Sequence, residues 1–340
     1  MSDKKIKNME EFAAKCGVSR PTVSKYFNDP GSVRDSTRAR IEAALERFDF
    51  RPNVYAVNQN RRLTKNIGII VPYVADPFFA ELARLIERRC IDKGFSPSTF
   101  SSHGIPEHEV EILDTLRSMR PAGVLFAPIG RASDRNKIEA FCREIPTVLF
   151  DSNIEGIGAT FVGLDNFQSV PQMVNYLCRT GEPPCFFEMP PVNPNANKRR
   201  TAYIGAMEKL GHEPHVIRVD GQDWDFEGVG YSQGLKVLSQ ALPSQTILCS
   251  NDRLAIGLLA AAFELKIKVG ITPDCTLRIA GHDDHPFSRF TCPPLTTIAQ
   301  NYEAITDSGV ATLLKLIESE GRDSDGDILF EGKLVMRASA

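Results

Sequence analysis

The sequence predicts an α/β protein: a small all-α head in front of a two-lobed core of doubly wound parallel sheets. Three observations carry this. Residues 9–48 read as three short helices with no strand among them. From Asn66 onward, short apolar runs alternate with amphipathic helical stretches, the rhythm of a parallel sheet covered by helices. That rhythm runs through two consecutive blocks of similar size, which implies two lobes with a cleft between them. A length of 340 residues suits two or three domains.

In the head, Met9–Cys16 places Phe12, Ala13 and Cys16 on one face. Gly17 permits a sharp turn, and Val18 fills the angle between the helices. Ser19 can cap the second helix through its hydroxyl. Pro21 sits in the first turn, where a missing N–H costs nothing. Val23, Tyr26 and Phe27 form the inward face, and Arg20 and Lys25 the exposed one. Asn28-Asp29-Pro30-Gly31 is a polar turn. Asp35 to Phe48 follows as a third helix, with Ile41, Ala44, Leu45 and Phe48 at helical spacing. Two short helices about a tight turn, the second bearing bases, is the layout of a helix-turn-helix DNA reader. Residues 53–65 are polar and too poor in apolar spacing for an isolated helix, so they read as a hinge.

In the core, Ile67–Val71 is a buried strand and Pro77–Lys93 a helix. Phe95–Ser101 is a second strand and Glu107–Met119 a helix. Gly123–Ala127 and Thr147–Phe150 are strands around a helix at Asn136–Arg143. The second block follows with helix Gln168–Cys178, strand Cys185–Met189, helix Lys198–Leu210 and strand His215–Val219. Helix Gly230–Gln240, strand Thr246–Cys249, helix Arg253–Leu265 and strand Leu277–Ala280 complete it. Ligands of open α/β sheets sit beyond the carboxyl ends of strands, so polar residues directly after strands are the site candidates.

Composition is that of a soluble globular protein, with 42% hydrophobic and 24% charged residues. The net charge of -3 hides an asymmetry. Residues 1–65 carry 14 Lys and Arg against 8 Asp and Glu, net +6, which leaves 26 against 35, net −9, for the remainder. A basic head on an acidic body confines any nucleic-acid contact to the head. The eight cysteines include no CxxC pair, so reduced thiols in a cytoplasmic protein are expected. The amino terminus has no apolar signal region, so export is not expected, and no run is long enough to span a membrane. Two HxxH spacings, His212–His215 and His282–His285, lie on no clear helix, so no metal site is expected. No cofactor is expected either: no GxGxxG follows the first strand, and no GxSxG or P-loop occurs.

The ordered blocks resemble the LacI/GalR family of bacterial transcriptional regulators over nearly the whole chain. GVSRPTVSKYFN resembles the family's GVSxxTVSRxLN signature, and Arg51-Pro52-Asn53 the start of its hinge. IGIIVPYVADPFFAEL, VGLDN, SNDRLAIGLLAA, GHDD and PPLTTIAQ match further blocks in order and spacing. The resemblance implies a head at 1–52, a hinge at 53–65, and a periplasmic-binding-protein-like core at 66–340 crossed three times by the chain. The first lobe would hold about 66–162 and 293–325, the second about 163–292 and 326–340, with the last strand, Asp327–Val335, finishing on the second.

The resemblance also assigns roles. Arg20, Pro21 and Lys25 would touch bases, since Arg and Lys suit guanine O6 and N7. Ser19, Thr22, Ser24 and Asn28 would contact phosphates, which fixes register. Hinge contacts would come from Asn53, Tyr55, Ala56 and Gln59. Gln59 stands where the family usually has a Leu that wedges into the minor groove, so weaker or differently placed operator bending is expected. The effector contacts would be Asp76, Phe78, Asp151, Asp165, Arg199, Trp224, Asn251 and Asp283, with Phe226 a rival to Trp224 for the stacking ring. Taken alone, Asp76, Asp151 and Asp165 each read as helix N-caps. Carboxylates, an amide and a guanidinium around an aromatic face suit a polyhydroxylated ligand. Ser152 replaces an arginine common after Asp151, which favours a neutral sugar or polyol.

The expected function is a DNA-binding regulator, most simply a repressor, whose affinity for a palindromic operator is controlled by that ligand. The chain stops just after the last strand, without a heptad tail, so a homodimer is expected rather than a tetramer. A Rossmann-like enzyme acting on a small polar metabolite is the alternative, and it alone predicts turnover. An exported sugar-binding protein would share the core but not the basic head.

Overall fold

A computed structural model describes residues 6, 8–50, 64–219, 224–319 and 326–340. The chain forms two compact units, Met1–Lys65 and Asn66–Ala340.

In the first unit, α1 (Met9–Cys16) starts where the Asn8 side chain accepts the Glu11 N–H at 2.9 Å. Gly17 ends it at φ 63, a left-handed backbone open chiefly to glycine. Arg40 locks the turn, its Nη2 donating to the carbonyls of Cys16 and Gly17 at 2.9 and 2.7 Å. Ser19 caps α2 (Arg20–Asn28) by accepting the Thr22 N–H at 3.3 Å. A single 3₁₀ turn at Pro30–Ser32 leads into α3 (Asp35–Phe48). The three helices enclose fully buried Phe12, Val23 and Ile41, and Phe12 stacks on Phe50 with ring centres 4.4 Å apart. Each such side chain contributes ~2 kcal/mol through burial, enough to hold three helices too short to persist alone.

The second unit is built on two parallel sheets. The larger contains β1 (Asn66–Val71), β2 (Ser96–Ser101), β3 (Gly123–Phe126), β4 (Thr147–Phe150), β5 (Thr160–Leu164) and β11 (Ile328–Phe330), in the order β11-β5-β4-β3-β1-β2. Its inner strands β1, β3 and β4 read as apolar runs because helices cover both faces, whereas the edge strand β2, SPSTFS, is polar. The covering helices are α4 (Pro77–Asp92), α5 (Pro106–Met119), α6 (Arg135–Glu144) and, from late in the chain, α11 (Tyr302–Glu318). The smaller sheet has the order β7-β6-β8-β9, from β6 (Cys185–Phe187), β7 (Val216–Ile217), β8 (Thr246–Cys249) and β9 (Arg278–Ala280). Helices α7 (Asn166–Thr180), α8 (Pro194–Lys209), α9 (Phe226–Leu238) and α10 (Asp252–Glu264) belong to this second lobe.

Three chain crossings join the lobes. The first follows β5, the second leads from β10 (Thr297–Ala299) into α11, and the third runs from β11 into β12 (Lys333–Val335). The crossings are bonded to one another. β10 and β12 pair antiparallel, Asp165 N–H donates to Phe330 O at 2.8 Å, and Gly332 N–H donates to the Gln168 side chain at 3.0 Å.

This topology corrects the expected lobe limits. Ile328–Phe330 pairs with β5 in the first sheet, so residues 326–340 do not lie wholly on the second lobe. Residues 294–299 remain beside the second sheet, through bridges from Thr296 to Ala280 and from Ala299 to Asp283. The physical reason is that the crossing strands find partners on both sides of the junction, which no local pattern announces. Strand β5 (Thr160–Leu164) is likewise a strand that the sequence pattern does not predict. Hinge residues 53–63 lie outside the described residues, so Asn53, Tyr55, Ala56 and Gln59 receive no structural account.

Candidate ligand cleft and DNA-reading helix

In the first unit, α2 exposes Ser19, Arg20, Pro21 and Lys25, while Thr22 and Ser24 are half-buried. The Ser19 and Thr22 hydroxyls lie 2.8 Å apart, a mutual hydrogen bond that holds the start of the helix. Arg20 Nε is 3.0 Å from a Glu10 carboxylate, but both side chains are open to solvent, where such a pair is worth little. Asn28 closes the helix, and its side chain lies outside the described set. The outward face thus offers two cations and short polar groups at a helix N-terminus, the equipment of a major-groove reader.

In the second unit, the carboxyl ends of both sheets face one narrow cleft, nearly closed in this arrangement, with a free volume of about 30 Å³. Its lining includes Asp76, Phe78, Asp151, Arg199, Trp224, Asn251 and Asp283, seven of the eight predicted effector residues. The eighth, Asp165, is placed elsewhere. Its carboxylate accepts the N–H groups of Phe167 and Gln168 and so caps α7 at a lobe crossing. The ordinary reading of an aspartate before a helix holds there. Its neighbour Asn166 serves the cleft instead, accepting from Arg199 Nε at 2.9 Å and donating to Asn195 at 3.1 Å.

Each lining group has a local cause. Asp76 and Asn251 follow β1 and β8 and cap the next helices by accepting the N–H groups of Phe78 and Leu254. Asp151 follows β4 in a left-handed conformation, φ 58. Its carbonyl accepts from Asn195 Nδ2 across the lobes at 3.1 Å, whereas its carboxylate has no ion-pair partner among the described residues. Arg199 projects from α8 and grips Asp283 through two bonds, at 2.6 and 3.2 Å, and donates to Ser250 O at 2.7 Å. Trp224 and Phe226 both line the cleft, with ring centres 5.8 Å apart, so the two rival rings share one wall.

Sequence reasoning missed several lining residues: Phe79, Asn195, Asp252, Arg253 and His285 among them. Arg253 ties the lobes together by pairing with Asp76 at 3.1 Å and with Glu227 at 2.5 Å. Asp252 accepts from the Ser288 and Thr297 hydroxyls and the His285 N–H, which stitches the loop after β9 to β10. Arg253 and Asp252 stand in the quoted SNDRLAIGLLAA block, directly after Asn251, and that adjacency was the available signal.

The electrostatics divide the carboxylates. Burial, then the nearby Asp283 carboxylate, pushes Asp151 up to about 7, while Arg199 opposes this. Burial also raises Asp252 to about 7 and Asp76 to about 6, the latter against Arg253. Asp283 goes the other way: despite burial, Arg199 and His282 hold it well below the usual carboxylate range. Both guanidiniums of the cleft are engaged by protein acceptors. Ser152, where an arginine is common in the family, turns away and donates to Pro128 O at 2.5 Å.

Comparison with known proteins agrees with the fold. Residues 8–53 match the model of bacterial regulatory proteins of the lacI family, and residues 183–340 match a periplasmic binding protein-like domain. The repressor CytR of Escherichia coli (strain K12) is 29% identical over 343 residues, covering 97% of this chain and 95% of its own. The ribose operon repressor of the same organism is 26% identical, covering 91% and 92%. The fold matches a lac repressor dimer bound to operator and the anti-inducer ONPF, with TM-score 0.84 at 22% identity, over 98% of this chain and 99% of that one. A regulator from Alkaliphilus metalliredigens complexed with D-xylulofuranose matches over 81% of this chain and 98% of its own, with TM-score 0.67 at 24% identity. With the head, the two-lobed core and these relatives in agreement, the chain joins a lacI-family DNA-binding domain to a periplasmic-binding-protein-like domain, the make-up of the repressors it resembles.

Proposed function

We propose that the protein is a homodimeric, cytoplasmic transcriptional repressor whose affinity for a palindromic operator is set by a neutral sugar or polyol held in the cleft, without chemical turnover. The observation that carries this reading is the convergence of Asp76, Asp151, Arg199, Asn251 and Asp283 on one cleft walled by Phe78, Trp224 and Phe226. Carboxylates and amides pair with hydroxyls that both donate and accept, and aromatic faces cover the apolar side of a sugar ring. An anionic ligand finds little here, because Arg199 and Arg253 are engaged by Asp283, Asp76 and Glu227. Two relatives point to the same class: one is named the ribose operon repressor, and the regulator from Alkaliphilus metalliredigens is complexed with D-xylulofuranose.

The homodimer is supported by the match of the fold to a lac repressor dimer bound to operator. A two-fold dimer presents two reading helices to two half-sites, hence a palindrome.

The test is twofold. A thermal-shift series on the intact protein should show stabilisation by one or more sugars or polyols and not by carboxylate metabolites. An acidic metabolite alone raising the melting temperature would overturn the ligand class. With an operator selected from random duplexes, affinity should fall steeply with salt. Lys25→Ala should cost about 1–3 kcal/mol and relax preference at one base pair of each half-site. A uniform loss across sequences would reassign Lys25 to a phosphate.

A further inference from the structure

One buried polar atom on the cleft wall has no hydrogen-bond partner among the described residues. His285 follows β9 on the second lobe, is 3% exposed and lines the cleft. Its Nδ1 accepts the Phe287 N–H at 3.3 Å. A ring nitrogen that accepts carries no proton, so in the neutral imidazole the proton sits on Nε2. Burial lowers the basicity of this ring and keeps it neutral. Nε2 is therefore a donor, and it has no hydrogen-bond partner among the described residues. A buried donor left empty is costly and calls for an occupant.

An acceptor stands across the cleft. Asp76 Oδ1 is 3.7 Å from His285 Nε2, too far for a hydrogen bond between them. Asp76 Oδ2 is held by Arg253, and Oδ1 already accepts the Phe78 N–H, so the carboxylate is fixed in place. A donor and an acceptor thus face each other from opposite lobes. We propose that His285 and Asp76 together read one hydroxyl of the ligand, His285 Nε2–H donating to its oxygen and Asp76 Oδ1 accepting its proton.

The spacing suits that role. An oxygen ~2.8 Å from both atoms sees them at an angle of about 80°, and parting them by about 1 Å brings the angle to the tetrahedral value. Because the two partners ride on different lobes, the bond to this hydroxyl depends on the lobe angle. His285 is then a specificity residue that also favours one lobe arrangement over another, which any effector must do to shift an equilibrium. A ligand lacking that hydroxyl leaves both groups unpaired, and discrimination against a missing hydroxyl is strong for this reason.

This inference rests on the cleft being a sugar or polyol site, and the test separates the two. Intact protein labelled with ¹⁵N-histidine should give the neutral Nε2–H tautomer for His285 near neutral pH. An Nδ1–H tautomer or an imidazolium there would overturn the proposal without touching the cleft reading. D-ribose, D-xylose, D-galactose, ribitol and myo-inositol are then titrated, followed by every monodeoxy form of the tightest binder. His285→Leu should weaken the tightest binder about tenfold, and His285→Gln, which keeps a donor, should restore most of the loss. One monodeoxy analogue should lose about tenfold in wild type and little more in His285→Leu, because the same contact is removed twice. If losses from every analogue are equal in wild type and His285→Leu, the hydroxyl contact is wrong while the cleft remains a sugar site. If none of the five compounds binds wild type, both the cleft reading and this inference fall.

Discussion

Two aspartates on the cleft wall are displaced to the same value for reasons with opposite consequences. Burial raises both Asp151 and Asp252 to about 7. Asp252 has three protein donors, two of them hydroxyls at 2.5 and 2.6 Å. Among the described residues Asp151 has none, and it sits at φ 58 besides, a conformation that costs about 1 kcal/mol for a residue with a side chain. A carboxyl whose folded value lies above its unfolded one binds its proton more tightly when folded. Its contribution to stability is therefore present below about 4 and is lost as the pH rises through about 7. Asp151→Asn should accordingly raise stability above pH 7 by about 1–2 kcal/mol, discounted because the group is partly open to solvent. The gain should vanish toward pH 4, and melting curves across that range check it; a gain that does not depend on pH would refute the account. Asp252→Asn should do the reverse and destabilise by about 2–3 kcal/mol, because its amide N–H₂ would face donors. The first variant should also lose ligand affinity, so instability at Asp151 is what the site retains in order to bind.

The elements divide by whether their cause is local. The turn between α1 and α2 is local: Gly17 stands at φ 63, and an added Cβ would come within 2.6 Å of Arg40 Nη2. Gly17→Ala should destabilise the head by about 1–2 kcal/mol through backbone strain and displacement of Arg40. Hydrogen exchange over residues 9–48 should quicken while that of residues 66–340 stays unchanged; equal effects in both would mean that the turn is not a local device. Causes of that kind were legible. Ser19, Pro21 and Gly17 mark the helix ends, and the apolar runs at β1, β4 and β8 announce buried strands. Strand β5, TFVGL, is as buried as those, but Gly163 inside it interrupts the apolar run and blurs the signal. α7 contains Pro171 and begins two residues before the periodicity suggests, at the cap supplied by Asp165. Strands β10, β11 and β12 are three residues each and exist because of partners more than thirty residues away in sequence. The cleft divides in the same way. Asp76, Asp151, Asn251 and Asp283 follow strands, so position alone nominated them. Arg253 and His285 join them only once the lobes have met.

At the scale of the whole core, the lobes are already in contact across the cleft. Asp76 and Arg253 pair from opposite lobes, and Asn195 reaches Asp151. Trp224 lies so close to Gly104 that a Cβ there would sit 2.3 Å from the indole, at a backbone φ of +70. A cleft bridged by the protein's own groups is not opened or shut by the mere presence of a ligand. The ligand changes the balance only by the difference between its affinities for two lobe arrangements. If that balance also governs operator binding, the coupling must be reciprocal. A sugar that changes operator affinity by some factor must have its own affinity changed by the same factor when saturating operator is present. Factors of about 5–150, worth 1–3 kcal/mol, are the usual range. Gly104→Ala provides the control, because crowding Trp224 biases the lobes without touching a polar ligand contact. It should shift operator affinity in the absence of ligand in the direction opposite to the arrangement that the ligand favours, and it should weaken ligand binding two- to tenfold. Isothermal titration of the sugar with and without saturating operator, and fluorescence anisotropy of operator with and without sugar, give the two factors independently. Agreement between them establishes a two-state linkage through the core. A ligand that binds tightly in the cleft yet leaves operator affinity unchanged in both wild type and Gly104→Ala would mean that the lobe arrangement and the DNA-reading head are not coupled.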